Sequence, residues 1–110
     1  LNIDLQINVD ENDIEDKNKH VIYRIVQESV NNIFKHSGAD NVIIQLLRSE
    51  NHGILLRISD DGCGFDVDKM YQDESSGVGL KSMRERAIET DGHFSISSNS
   101  LSGTVVQVYW

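Results

Sequence analysis

Residues 21–39 read VIYRIVQESVNNIFKHSGA. Val21, Ile22, Ile25, Val26, Val30, Ile33 and Phe34 recur at helical spacing up to a stop near Ser37-Gly38, and they predict the longest helix of the chain. At roughly 100° per residue, Glu28, Asn32, Lys35 and His36 fall on one side of it, about a quarter turn from the centre of the apolar stripe. That position borders the core and suits either the lining of a pocket between helix and sheet or a solvated flank. Asparagine in mid-helix is a mildly unfavourable choice, because its amide competes with the backbone for hydrogen bonds, so Asn32 asks for a reason.

Upstream, Leu1, Ile3, Leu5, Ile7 and Val9 alternate with polar residues, the pattern of a strand with one buried face, and the acidic stretch 10–16 leads to the helix. Downstream, Val42 to Leu47 and Ile54 to Ser59 read as a hairpin joined by Ser49-Glu50-Asn51-His52-Gly53. The stretch from Asp60 to Gly79 is rich in Gly, Asp and Ser and lacks sustained periodicity; a loop of about twenty residues inside a compact domain is usually functional or mobile. Leu80, Met83, Ala87 and Ile88 restore a helical stripe that ends at Asp91-Gly92, and Phe94 to Ser97 and Thr104 to Trp110 finish as strands around a Ser-Gly turn. Hairpin-paired strands with two main helices predict an antiparallel or mixed sheet with helices on one face.

With 110 residues, 38% of them hydrophobic, the chain has room for a single domain spanning 1–110 and none for a second. No apolar run reaches bilayer-spanning length, and the N-terminus lacks the sections of a signal peptide. The lone Cys63 forms no internal disulfide, which favours a reducing, cytoplasmic setting. A net charge of −8 with ten scattered Lys and Arg argues against binding nucleic acid or an anionic membrane through a broad field. The four histidines and Cys63 lack zinc-ligand spacing. Because it opens without methionine on a strand-like run, the chain is expected to be a fragment of a longer polypeptide.

Two further stretches carry chemistry. Asp60 continues the strand face of Ile54, Leu56 and Ile58, which aims an acid at the core; it must sit beyond the core edge or bond a specific donor, and an adenine amino group would be one. Asp61-Gly62-Cys63-Gly64-Phe65 follows, where glycines allow close approach of backbone to a ligand or simply a turn. Ser75-Ser76-Gly77-Val78-Gly79-Leu80 runs into the last helix, whose N-terminal amides attract phosphate, though the same glycines suit a flexible lead-in. Neither a dinucleotide fingerprint nor a P-loop is present. Lys81, Arg84 and Arg86 lie in the following turns, where they can help hold phosphates; Arg84 and Arg86 also suit solvated charges, and Arg86 reads as solvated.

In order, the blocks ESVNNIFKHSGA, SDDGCGF, SSGVGLKSMRERA and SGTVVQV resemble the asparagine box and successive glycine boxes of the histidine-kinase catalytic domain. That resemblance implies an α/β (α+β) two-layer sandwich, with a mixed, mainly antiparallel sheet backed by about three helices. It implies ATP and Mg²⁺ as cofactors. Asn32 matches the magnesium-coordinating asparagine and Glu28 the acid that orients a water or acts as base; Lys35 and His36 match the basic pair near the phosphates. Asp60 matches the aspartate that reads the adenine amino group, with Gly62 and Gly64 shaping the base pocket. Gly77 and Gly79, with Leu80 after them, match the lid-hinge glycines, and Gly103-Thr104 the last box, Thr104 lying near adenine. Asp61 stands where asparagine is commoner, which leaves its side chain without an assigned role. A separate phenylalanine box is not recognisable, and a short lid is expected over 66–76.

YRIVQESVNN followed by KHSGA is similar to the branch of sensor kinases partnered with response regulators that carry a LuxR-type DNA-binding domain. The implied reaction moves the γ-phosphoryl group of ATP to a histidine on a separate dimerisation and phosphoacceptor domain of the same kinase, a parent expected to be homodimeric and membrane-anchored. His20, His36, His52 and His93 are not followed by the acid and arginine that mark an acceptor in that branch. Two other readings stand beside this one, an anti-sigma-type serine kinase and a non-catalytic module that keeps only the fold.

Overall fold

The computed structural model describes residues 1–49, 53–68 and 79–110. The N-terminal alternating run forms β1 (Asn2–Ile7), and after a 3₁₀ turn the amphipathic stretch winds into α1 (Asp16–Asn32). A π-helical turn, Ile33–Ser37, prolongs α1 and stops at Gly38, whose left-handed φ of 62° no β-branched residue adopts comfortably. The hairpin is β2 (Asn41–Arg48) and β3 (Ile54–Asp60); α2 (Leu80–Glu89), β4 (His93–Asn99) and β5 (Gly103–Tyr109) complete the order.

The five strands lie in the order β1-β2-β3-β5-β4. β1 runs parallel to β2, and the remaining pairs are antiparallel. Period-two alternation puts Val42 and Ile44 of β2, Leu56 and Ile58 of β3, and Val106 and Val108 of β5 on one buried face. Against it α1 packs Val21 and Ile25, and α2 packs Leu80, Met83 and Ala87. The result is the expected two-layer α/β sandwich, with two α-helices among the described residues. α2 ends where Thr90 Oγ1 donates to Ala87 O (2.9 Å) and accepts from the Trp110 indole N–H (2.9 Å), which ties the helix end to the chain's last residue.

Three expectations need correction. β1 has no buried face: Ile3, Leu5 and Ile7 are 53–60% exposed. The register sets them beside Val42, Ile44 and Leu46, on the helix side of the sheet, but α1 does not extend over this edge strand. They line an open apolar groove of about 300 Å³ with Ile22 and Val26 of α1. Phe34, counted in the helical stripe, is 79% exposed, because the π turn widens the winding just there and keeps Ile33 and Ser37, not Phe34, facing inward. Ile88 is exposed as well, since α2 is anchored by Leu80, Met83 and Ala87 alone.

Candidate functional site

Between the second half of α1 and the ends of β3 and β5 lies a narrow slot of about 20 Å³, open to solvent on one side. Ile58, Val106 and Ile96 form its apolar floor, with Phe65 at its rim. Into this greasy slot project Ser29, Asn32 and Ser37 from the helix and Asp60 and Thr104 from the strands, all five buried. The mid-helix asparagine thus faces the pocket rather than solvent. Ser37 also explains the helix end: its hydroxyl donates to Ile33 O (2.8 Å) and accepts from Ala39 N (3.0 Å).

Asp60 sits where the buried face of β3 runs out. Burial pushes its carboxyl above the ordinary carboxylate value, and the charge of Asp61 adds to that, while hydrogen bonds from the Gly62 and Thr104 main chain pull the other way. Gly62 N donates to Asp60 Oδ1 at 2.8 Å. The carboxylate is therefore held from behind, with acceptor capacity left for a ligand N–H.

The turn after Asp60 is fastened to the end of α1. Cys63 N donates to Ser37 O (2.8 Å), and a side chain at Gly62 would run into Ser37, so the glycine there is a matter of close approach. Asp61, left without a role by the sequence, has a structural one. Its Oδ1 accepts from Asp40 N and Asn41 N, each at 2.9 Å, and its Oδ2 from Asn41 Nδ2 at 2.8 Å. The bonds from Asn41, with a smaller one from Asp40, hold its carboxyl below the usual range. Aspartate at this position clamps the α1–β2 connection to the end of β3.

Glu28 and Gly79, 51 positions apart in sequence, meet in space: the Glu28 carboxylate lies where a Cβ on Gly79 would go. Gly79 itself has a φ of 68° and caps α2, so the second glycine box opens onto the helix acid. Gly64 packs on the β4–β5 turn at Ser98 and Asn99. Lys35 and His36 lie exposed on the π turn and do not line the slot; Leu80 is buried in the core as the first residue of α2. Gly77 and residues 69–76 of the expected lid lie outside the described residues.

Sequence reading missed Ser37, Asp61 and Ser98. The Ser98 hydroxyl accepts from Phe65 N (2.8 Å) and shares a hydrogen bond with Thr104 Oγ1 (2.7 Å). A signal existed: Phe94, Ile96 and Ser98 share one strand face, which makes Ser98 a polar residue at an inward position.

The donor set fits a nucleotide. An apolar slot ending in a buried acceptor suits a planar base with an amino group. Among the described residues no group of three or more His, Cys, Asp or Glu gathers to cage a metal. Magnesium does not need one, since it takes one or two protein oxygens and completes its shell with phosphate and water. Among the described residues, no helix is long and apolar enough to cross a membrane.

Comparison with known proteins agrees with this geometry. The family described as histidine kinase-, DNA gyrase B-, and HSP90-like ATPase matches residues 17–110. The sensor protein VraS of Staphylococcus epidermidis is 41% identical over 87 residues, which is 79% of this chain and 24% of that protein. VraS of Staphylococcus aureus is 40% identical over the same length, so the chain spans about a quarter of these relatives. Among solved structures, the histidine kinase domain of the blue-light activated histidine kinase EL346 from Erythrobacter litoralis superposes with a TM-score of 0.80 at 16% identity, covering 98% of this chain and 50% of that one. The histidine kinase AdeS of Acinetobacter baumannii gives 0.74 at 17% identity, covering 98% and 52%.

Proposed function

Because the chain belongs to the histidine kinase-, DNA gyrase B-, and HSP90-like ATPase family, we propose that it binds Mg-ATP and passes the γ-phosphoryl group to a histidine on a separate dimerisation and phosphoacceptor domain. The observation that carries this reading is the pairing, across one apolar slot, of a buried acceptor, Asp60, with a buried helix amide, Asn32.

In this reading Asp60 accepts from the adenine amino group while Gly62, Gly64 and Thr104 shape the base pocket. Asn32 offers its amide oxygen to magnesium, which when bound neutralises phosphate charge. Glu28, beside Gly79, orients the incoming nucleophile or takes its proton. Lys35 and His36 approach the phosphates from the π turn, and Gly79 and Leu80 open the helix beside them; Gly77, given the same role by the resemblance, lies outside the described residues. Phosphoryl transfer asks mainly for positioning and charge stabilisation, which this set supplies while the N–P bond forms on the acceptor histidine and ADP leaves. The phosphorylated partner then serves a response regulator with a LuxR-type DNA-binding domain, within a homodimeric, membrane-anchored parent whose catalytic part is cytoplasmic.

Incubation with γ-labelled ATP tests the proposal. The chain alone is expected to bind nucleotide without labelling itself and to label a supplied phosphoacceptor domain in trans. Acid-labile label on the isolated chain, lost in His36→Ala, would overturn the placement of the acceptor elsewhere.

A further inference from the structure

We propose that Ser98, which does not line the slot, is a positioning residue that turns the Thr104 hydroxyl into a donor toward the base and so helps select adenine; this rests on the nucleotide reading above. Ser98 and Thr104 are a cross-strand pair of β4 and β5, and Ser59 pairs with Val105, which brings Asp60 alongside Thr104. Asp60, Thr104 and Ser98 therefore form a row across three strands, on the face covered by helices.

A serine hydroxyl has one proton to give and two lone pairs. One lone pair of Ser98 takes the Phe65 N–H at 2.8 Å. Its other contact, Thr104 Oγ1 at 2.7 Å, is a bond that either hydroxyl can donate, since the second lone pair of Ser98 is free to accept. When a ring-nitrogen acceptor enters the slot, the buried Thr104 hydroxyl on its wall gives its proton to the base and Ser98 donates to Thr104 Oγ1 in turn. The slot then shows, side by side, an acceptor on Asp60 and a donor on Thr104. The adenine edge carries the complement, an amino donor next to a ring-nitrogen acceptor. Guanine carries the reverse, a carbonyl next to an N–H, and would leave buried polar groups facing their own kind. The same serine seats the main chain at Phe65.

Equilibrium titrations of the chain with Mg-ATP, Mg-GTP and Mg-tripolyphosphate separate this from a purely structural role. Ser98→Ala is expected to weaken Mg-ATP by about 3- to 10-fold, one hydrogen bond's worth, and to narrow the preference over Mg-GTP. Mg-tripolyphosphate, which has no base, should bind as before, and Ser98→Thr should restore the ATP preference. Ser98→Ala added to Thr104→Val should cost less than about a further twofold, since both act on one hydroxyl. Equal losses for ATP and tripolyphosphate, additive effects in the double variant, or no effect at all would overturn the proposal. Should Ser98→Ala lose its cooperative unfolding transition, Ser98→Cys keeps the size with a weak donor and carries the same comparison. A wild-type chain that binds tripolyphosphate but no nucleotide overturns the nucleotide reading, and the Ser98 proposal with it.

Discussion

Asn32 and Asp60 show how a single side chain acquires a purpose from its place. A mid-helix amide is a poor helix former, and a carboxylate at a strand end is costly to bury, yet each lies on a wall of the same slot. Asn32→Ala is expected to remove most of the magnesium dependence of nucleotide binding while leaving the fold in place, because magnesium takes few protein oxygens. Calorimetry at varied magnesium checks it, and unchanged dependence counts against the assignment. The adjacent acids provide an electrostatic test with opposite signs. Asp60 is raised by burial, so between its ordinary value of 3.8 and the raised one the folded chain holds a proton that the unfolded chain has released, and its contribution to stability falls as pH rises through that window. Asp61 is lowered by its hydrogen bonds from Asn41, so its contribution is present above 3.8 and is lost as pH falls through the lowered value. Denaturation midpoints measured from acid to neutral pH should therefore lose the fall in Asp60→Asn and lose the acid-side drop in Asp61→Asn.

At the scale of elements, periodicity located both helices, the hairpin and the closing strands because burial on one face writes itself into spacing. It also aimed Asp60 correctly, since strand parity is strict. It misplaced Phe34 because 3.6-residue winding was carried through a π turn, and nothing in the composition of IFKHS marks that change. Lys35 and His36 share the shift, which is why two residues placed beside Asn32 on a regular helix stand clear of the slot. Asp61 and Ser98 escaped for another reason: their partners are 20 and 33 positions away, and no local pattern carries a tertiary hydrogen bond. The junction of Glu28 with Gly79 is equally non-local. Gly79→Ala should cost about 1–2 kcal/mol for its left-handed backbone alone, plus a steric part against Glu28. Thermal unfolding of Gly79→Ala and of Gly79→Ala with Glu28→Ala separates the two, and the double variant should recover only the steric part.

Across the whole molecule, the sheet is unevenly guarded. β3 has a hydrogen-bonded neighbour on each side, whereas β1 has only β2 and exposes Ile3, Leu5 and Ile7. A strand held by one ladder, without a packed face, can leave while the rest stays closed. In native-state hydrogen exchange, β1 amides are expected to exchange by sub-global opening with weak dependence on denaturant, and β3 amides only with global unfolding. Equal opening energies in the two strands would contradict this. Among the described residues, a first strand that opens on its own also gives a protease its earliest foothold, so limited digestion should cut within β1 before it cuts within β2 to β5. The rate of that first cut should follow the local opening equilibrium rather than the stability of the domain.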